Sequence, residues 1–394
     1  MSRLWDKGAP LDERVLRYTA GEDYALDDRL VAYDVRASIA HAEMLNAQQL
    51  LALDDLDAIR DGLQALGAEH ARGEWRVELA DEDGQTALER RLTERVGVAG
   101  ARIHLGRSRN DQVLTALRLY LRDVLGTLGA GALAVADALD ELGVREAATE
   151  LPGYTHMQQA MPSSVTLWAG GFAAQLRDAA AGLAAVDRRL ARSPLGSAAG
   201  YGTPGLALDR EATRAALGFT SVEEPVTAAQ LARGKAEAQL LFEIALLMQD
   251  LSRFAADVLL FATQEFGFVT LPEAFTTGSS IMPQKRNPDV FELVRGRSAT
   301  ALGCLTEALA VCAKLPSGYQ RDLQLLKFPL FRAIDLALET LAILPPAIAG
   351  LRFERAAIRL DPAIHAAEEA NRLAVREGIP FREAYRLIAA KLRR

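Results

Sequence analysis

The 394-residue sequence predicts an all-α fold built around a bundle of long helices. Proline is absent between Pro10 and Pro152 and again between Pro225 and Pro272. Long helices fit such gaps because proline interrupts a helix interior. No alternating apolar and polar pattern is convincing, and "WRVEL" (75–79) is the one fragment that resembles a strand.

The first long helix is predicted over residues 113–142. Apolar residues recur there at steps of three and four, which average near the helical period. They are Val113, Leu117, Leu121, Val124, Leu128, Ala132, Val135, Leu139 and Leu142. The same spacing predicts a second helix from Leu240 to Phe261, and the stretches around 163–192 and 329–347 offer two more.

A further helix is predicted to start within "NPDVFELV" (287–294). Asn287 can cap a helix, and Pro288 suits the first helical position. Asp289 and Glu292 favour the first turn because a carboxylate there meets the positive end of the helix dipole.

Helices of this length, with seams near a heptad period, usually pack in a bundle, and one chain need not cover every seam. We therefore expect an N-terminal helical domain (1–105), a central long-helix bundle that is also the oligomerisation core (106–350), and a short C-terminal helical domain (351–394).

Composition and charge restrict the possible partners. The formal charge of -7 argues against binding nucleic acid or an acidic membrane surface, because both need a basic face. The first 18 residues lack the long apolar run of a signal or spanning helix. Two cysteines, Cys304 and Cys312, cannot form a disulfide framework and suit a reducing compartment. We expect a cytoplasmic protein.

Polar breaks between the long helices are the places to search for function. The first is "HLGRSRNDQ" (104–112), where Arg109 and Asn110 crowd the start of a helix, a position that favours an anion. The simpler interpretation is a solvated cap, with Ser108, Asn110 or Asp111 capping and the arginines paired to nearby carboxylates.

The second break is "LPGYTHMQQAMP" (151–162), a turn between two prolines. His156 can transfer a proton near neutral pH, and the Thr155 hydroxyl could bind a carboxylate. A lone loop histidine is more often a surface or capping residue. The other histidines are scattered without metal-ligand spacing, so we expect no metal site.

The third break is "GSSIMPQKRNP" (278–288), in which Ser279 and Ser280 follow a glycine and Lys285 and Asn287 come soon after. Serine is a poor base, so its use requires amide donors or a cation to stabilise the alkoxide. A flexible linker before a capped helix is the alternative. It leaves "SSIMPQK" unexplained.

The fourth break, "SGYQRDLQLLK" (317–327), contains Tyr319, Arg321, Gln324 and Lys327, and by itself a solvated turn is the simpler interpretation. By contrast, "GYGTPG" (200–205) matches a dinucleotide-binding pattern, but no strand precedes it, so we predict a turn.

Together these four segments resemble the argininosuccinate lyases, a branch of the fumarase and aspartase superfamily. "GSSIMPQKRNP" is similar to the signature of the whole superfamily, while "GRSRNDQ", "PGYTHMQ" and "GYQRDLQ" are similar to this branch. The resemblance extends from "LWDKG" (4–8) to "IPFREAY" (379–385).

The resemblance implies anti elimination of fumarate from argininosuccinate, with release of arginine and without a cofactor or metal. It implies that Ser279 is the base and that Lys285 and Asn287 hold the substrate carboxylate as its charge grows. It also implies that Glu292 orients His156, which assists proton delivery to the departing guanidinium.

The same resemblance implies a set of substrate-binding residues. Arg109, Asn110 and Thr155 would hold the succinyl portion, and Tyr319, Gln324 and Lys327 would contact the arginine portion or its carboxylate. Arg233 is the residue of "PVTAAQLARGK" (225–235) that matches a common family stretch. The family also implies a homotetramer whose sites combine loops from three subunits.

Three departures from the family pattern suggest a shifted substrate preference or a slower enzyme. Gln85 replaces the usual histidine of E-D-x-H, most of the stretch around Arg233 is changed, and the region after about residue 350 is short. A related lyase for another N-substituted succinate is the main alternative. A non-catalytic, crystallin-like homologue is a weaker one, since Ser279, Lys285, His156 and Asn287 are retained.

Overall fold

The computed structural model describes residues 12–393, so "LWDKG" (4–8) lies outside the described residues. Helices dominate it, which confirms the predicted fold class. The α-helices are α1 (Glu13–Ala20), α2 (Asp23–Asp27), α3 (Val31–Ala47), α4 (Leu53–Ala71), α5 (Gly84–Val96), α6 (Val98–Arg102), α7 (Arg109–Arg145), α8 (Val165–Leu190), α9 (Arg210–Ala216), α10 (Ala228–Leu231), α11 (Lys235–Phe261), α12 (Asp289–Cys312), α13 (Lys327–Gly350), α14 (Ala366–Glu377) and α15 (Phe381–Leu392).

Short strands and 3₁₀ turns connect these helices. The strands are β1 (Glu150–Thr155), β2 (Gln158–Ser164), β3 (Arg192–Ser193), β4 (Ser221–Val222), β5 (Val269–Thr270), β6 (Thr277–Gly278), β7 (Arg286–Asn287) and β8 (Arg352–Phe353). They pair two by two: β3 with β4 in parallel, and β1 with β2, β5 with β8 and β6 with β7 antiparallel.

The predicted long helices are confirmed. The helix expected over 113–142 is α7, and each apolar residue named for it after Val113 is buried, as a core-facing seam requires. The stretches around 163–192, 240–261 and 329–347 form α8, α11 and α13.

The predicted cap of α12 is wrong by one residue. The helix begins at Asp289, and the Pro288 carbonyl accepts its first hydrogen bond, from the Glu292 amide at 3.2 Å. Asn287 instead belongs to β7, and its side-chain amide nitrogen Nδ2 lies 3.4 Å from the Thr277 hydroxyl and from the Gly278 carbonyl.

The strand-like fragment at 75–79 does not form a strand. Trp75 and Val77 are buried, which explains the alternating pattern, but the Val77 amide donates to an Asp28 carboxylate oxygen at 3.0 Å. A side chain therefore takes the place of a neighbouring strand. The turn predicted at 200–205 is confirmed, with left-handed backbone at Gly200 and Gly202.

The hairpin of β1 and β2 was not predicted from the sequence. Pro152 and Pro162 lie opposite each other in its register, so the two residues that cannot donate to the ladder share one position. Its turn consists of His156 and Met157, both with left-handed backbone (φ 51° and 60°). This conformation is uncommon for residues with a side chain.

The chain divides into two compact units that interleave along the sequence. Unit 1 comprises residues up to Gly129, Gly182–Ala245 and Thr300–Leu336; unit 2 comprises Ala130–Ala181, Leu246–Ala299 and the chain from Ala337 onward. The domain boundaries expected near residues 105 and 350 remain a prediction.

Each unit has its own apolar core. In unit 1, buried residues of α3, α4 and α5, including Leu45, Leu63 and Leu92, form one cluster. In unit 2, the Trp168 ring lies against Phe254 and Phe261, with ring centres 5.5 and 5.7 Å away. These cores hold the helices from which the polar segments project.

Two further features bear on chemistry and location. Cys304 is buried and Cys312 half-buried; both thiols are free, and burial raises the pKa of each. Arg109–Arg145 and Arg321–Gly350 are long and apolar enough to cross a membrane, but 44% and 50% of their most apolar windows are buried. Such partly buried helices are typical of protein cores.

Candidate active site

Unit 1 contains a polar cleft of about 370 Å³ at the start of α7. Its walls come from α2, the turn before α5, the start of α7 and the segment that leads into α13. Arg233, just before α11, completes them. The lining residues are Asp23, Asp83, Gln85, His104, Arg107, Ser108, Arg109, Asn110, Val113, Arg233, Tyr319, Arg321, Gln324 and Lys327.

The turn before α7 is held by two side chains. The Ser108 hydroxyl accepts from the Asn110 amide at 3.3 Å, and Asp111 accepts from the Ser108 amide at 2.9 Å. The other Asp111 oxygen accepts from the amides of Gly196 and Ala198 at 3.0 and 2.8 Å. Burial raises the pKa of Asp111 to about 6. The capping interpretation of this segment is therefore confirmed, and its role as an anion site remains a prediction.

Arg109 enters the cleft already paired. Its guanidinium contacts Asp83 and lies 3.6 Å from Glu82. Asp83 also caps α5 by accepting from the Thr86 amide at 2.8 Å. The ion pair therefore orients Arg109 and leaves it half-buried beside Asn110.

Arg233 presents a less satisfied cation. It is buried, and within the described chain its Nε and Nη1 have no hydrogen-bond partner. Its guanidinium carbon lies 5.5 Å from the centre of the Tyr319 ring. Buried unpaired donors are costly, so this group favours an anionic ligand.

Lys327 shares its charge with two carboxylates. Its Nζ lies 2.8 Å from Asp23 Oδ1 and contacts Asp27. Asp27 also accepts from the Gly84 amide at 3.1 Å, which ties α2 to α5. Burial disfavours the Lys327 ammonium, but the two carboxylates outweigh it and raise its pKa.

Two glutamines of the cleft, Gln324 and Gln85, are held by hydrogen bonds to backbone carbonyls and to a carboxylate, respectively. Gln324 donates from Nε2 to the carbonyls of Thr19 and Ala20, at 3.0 and 3.2 Å. Gln85, the residue that departs from the family pattern, donates to Asp34 at 2.5 Å. Burial raises the pKa of Asp34 to about 7.

Ser279 lies in unit 2, on the loop between β6 and β7. Its hydroxyl accepts from the amides of Met282 and Ile281, at 3.2 and 3.4 Å. It is half-buried, whereas Lys285 on the same loop is exposed. The Thr277 hydroxyl in β6 contacts Asp289 at the start of α12, which fastens the base of the loop.

Three further predicted residues are also in unit 2 and exposed. Thr155 and His156 lie at the tip of the hairpin, and Glu292 lies in the first turn of α12. Within residues 12–393, no hydrogen bond joins His156 to Glu292, so that pairing remains a prediction.

The chain matches the model of the family described as Lyase over residues 13–303. An argininosuccinate lyase of Sorangium cellulosum is 49% identical, over 99% of this chain and 90% of that protein. Another, from Thermotoga neapolitana, is 38% identical, over 99% and 98%. This chain belongs to the argininosuccinate lyase family. It is a carbon–nitrogen lyase.

Solved structures show a similar fold. An EDDS lyase in complex with formate has a TM-score of 0.81 and 25% identity, over 97% of this chain and 76% of that one. A class II fumarase from Schistosoma mansoni has a TM-score of 0.78 at 18% identity, over 95% and 92%. The second likeness concerns the fold alone, and it confirms the long-helix architecture.

In this argininosuccinate lyase family member, one cleft brings together half of the site residues predicted from sequence. They are Arg109, Asn110, Arg233, Tyr319, Gln324 and Lys327. The others, Thr155, His156, Ser279, Lys285, Asn287 and Glu292, lie in unit 2. All twelve functional assignments remain predictions.

Sequence reasoning missed two acidic residues of the cleft. Asp83 lies two residues before Gln85 in "EDGQ", a segment in which the sequence departs from the family pattern, so its surroundings had already drawn attention. Asp23 has no motif around it, and nothing in its local sequence predicts a place beside Lys327.

Proposed function

We propose that this chain cleaves argininosuccinate into arginine and fumarate, as a step of arginine biosynthesis. The single observation that carries the proposal is the cleft of unit 1. Residues from three distant segments, chosen by family motif, meet there around a buried guanidinium with unpaired donors. A substrate with three carboxylates and two cationic groups needs a cleft that offers both charges.

Elimination requires a proton to leave a carbon next to a carboxylate, which builds negative charge on an anionic group. Ser279 is the proposed base, and the Met282 amide that its oxygen already accepts from would stabilise an alkoxide. Lys285 and Asn287 bind the carboxylate whose charge grows. His156, with Glu292, assists proton delivery to the departing guanidinium. No cofactor is needed.

The exposure of these groups favours sites shared between copies. Ser279 is only half-buried and His156 and Lys285 are exposed, whereas a reacting group works best where water is excluded. Exposed apolar residues on the long helices offer surfaces for association: Phe242 and Leu246 on α11, one turn apart, and Leu302 and Leu309 on α12. The proposed assembly is a cytoplasmic homotetramer.

Purified protein incubated with argininosuccinate tests the activity, because fumarate is followed by its ultraviolet absorbance. We expect steady release of fumarate together with arginine. Absence of fumarate, with turnover of a different succinyl amine, would overturn the proposal. Light scattering tests the assembly separately, and an active monomer would contradict shared sites.

A related lyase acting on another N-substituted succinate is the second candidate. The likeness to an EDDS lyase at 25% identity favours it, and so does Gln85, whose amide is committed to Asp34. The same assay with a panel of N-substituted succinates decides between the two by comparing kcat/KM.

A further inference from the structure

Two carboxylates line the described part of the cleft, and one of them is committed to the fold. Asp83 contacts the guanidinium of Arg109 and caps α5 through the Thr86 amide. Both its charge and its hydrogen-bonding capacity are therefore engaged before any ligand arrives.

Asp23 differs because its cation is shared. Lys327 Nζ lies 2.8 Å from Asp23 and also contacts Asp27. Asp27 has no exposure, while the Asp23 side chain keeps 11% of its surface open. Two carboxylates and one ammonium leave one negative charge unmatched, and the open carboxylate is the one on the cleft wall. Burial raises the pKa of Asp23 to about 6, as expected for such a charge.

The opposite charge stands nearby. Arg233 lines the same cleft with unpaired Nε and Nη1, and it is close enough to Asp23 to favour the ionised carboxylate. An open carboxylate and an open guanidinium in one cleft are complementary to a zwitterionic amino-acid group, which carries an ammonium and a carboxylate on one carbon.

We propose that Asp23 binds the α-ammonium of the amino-acid portion of the substrate and so determines specificity on the amine side. Arg233 takes the α-carboxylate, and Lys327, neutralised by Asp27, positions Asp23. The inference rests on the proposed function, since arginine is the amino-acid portion of argininosuccinate.

The test compares two inhibitors of fumarate release: arginine, and 5-guanidinopentanoate, which is arginine without its α-amino group. Wild-type enzyme should bind arginine at least about tenfold more tightly than the deaminated analogue, since a hydrogen bond to a charged group is lost. In Asp23→Asn this preference should fall to about threefold or less, while inhibition by succinate stays unchanged. KM for argininosuccinate should rise about tenfold with kcat within about threefold.

Glu22→Gln is the matched control, because Glu22 is the exposed neighbour of Asp23 and lies outside the cleft. It should keep the wild-type preference. A purely structural role for Asp23 predicts equal weakening of arginine and 5-guanidinopentanoate, and that result would overturn the inference.

Equal inhibition of wild-type enzyme by the two compounds would overturn it as well. This second comparison can refute the inference even where Asp23→Asn does not fold. If wild-type enzyme releases no fumarate from argininosuccinate, the proposed function itself fails, which separates that outcome from a failure of the Asp23 assignment alone.

Discussion

The cleft of unit 1 and the β6–β7 loop of unit 2 hold their polar groups in different ways. In the cleft, carboxylates from neighbouring elements hold two of the cations: Asp83 pairs with Arg109, and Asp27 with Lys327. In the loop, Ser279 is held by amides two and three residues away, and Lys285 extends into solvent. The proposed binding groups are therefore preorganised by packing, whereas the proposed chemical groups depend on local turns and on closure by other surfaces.

The largest expected effect comes from the loop. Ser279→Ala should lower kcat by about 10²–10⁴-fold and leave KM within about threefold, because a general base acts mainly in the transition state. Steady-state assay of fumarate release measures both constants. Ser280→Ala, one residue away, should behave like wild type. Near-normal turnover of Ser279→Ala would remove the loop from the chemistry.

In unit 1, Asp34 should make stability depend on pH. Its pKa is raised to about 7 by burial, so the folded state holds this proton more tightly than the unfolded chain. That contribution is complete below about pH 4 and is lost as pH rises through about 7. The unfolding free energy of Asp34→Asn, relative to that of wild type, should therefore rise by on the order of 2–4 kcal/mol between pH 4 and pH 8.

Urea unfolding of both proteins at several pH values measures this gain. The difference between them cancels other titrating groups such as buried His41. A pH-independent difference would mean that Asp34 is ionised throughout, and that the charges of this region are fully matched.

A smaller effect is expected at the turn before α7. Asp111→Asn replaces one carboxylate oxygen by an amide that cannot accept, so at least one of the Ser108, Gly196 and Ala198 amides loses its partner. We expect a loss of about 2 kcal/mol in unfolding free energy. Glu141→Gln, at an exposed position of the same helix, is the control and should leave stability unchanged.

The smallest effect is expected at the hairpin tip. Met157 has a left-handed backbone, which glycine adopts without strain. Met157→Gly should raise stability by up to about 1 kcal/mol in thermal unfolding. A loss of stability instead would indicate that the Met157 side chain is packed, and that the tip resembles the cleft more than the loop.

The helices and the polar breaks between them could be predicted because each depends on a local pattern. Apolar spacing placed α7, α8, α11 and α13, and the motifs located the segments whose residues line the cleft. The hairpin could not be predicted in this way, because its two strands carry Pro152 and Pro162, a residue type that disfavours strands, and only the register places these prolines opposite each other.

The ion pairs of the cleft could not be predicted from the sequence for a related reason. Lys327 and Asp27 are 300 residues apart, and no local feature of either predicts their contact. From motifs alone Lys327 was expected to meet a substrate carboxylate. Its two acidic neighbours, Asp23 and Asp27, are brought to it by the packing of α2 against the start of α13.

The two native cysteines make the chain convenient for spectroscopy. Both sit on α12, and burial raises the pKa of both thiols, so their reactive thiolate forms are scarce near neutral pH. A cysteine introduced at the exposed Met157 would react first with a fluorescent maleimide. Donor- and acceptor-labelled preparations, mixed after brief dissociation, would then test whether hairpin tips from different copies approach one another, as the proposed tetramer requires.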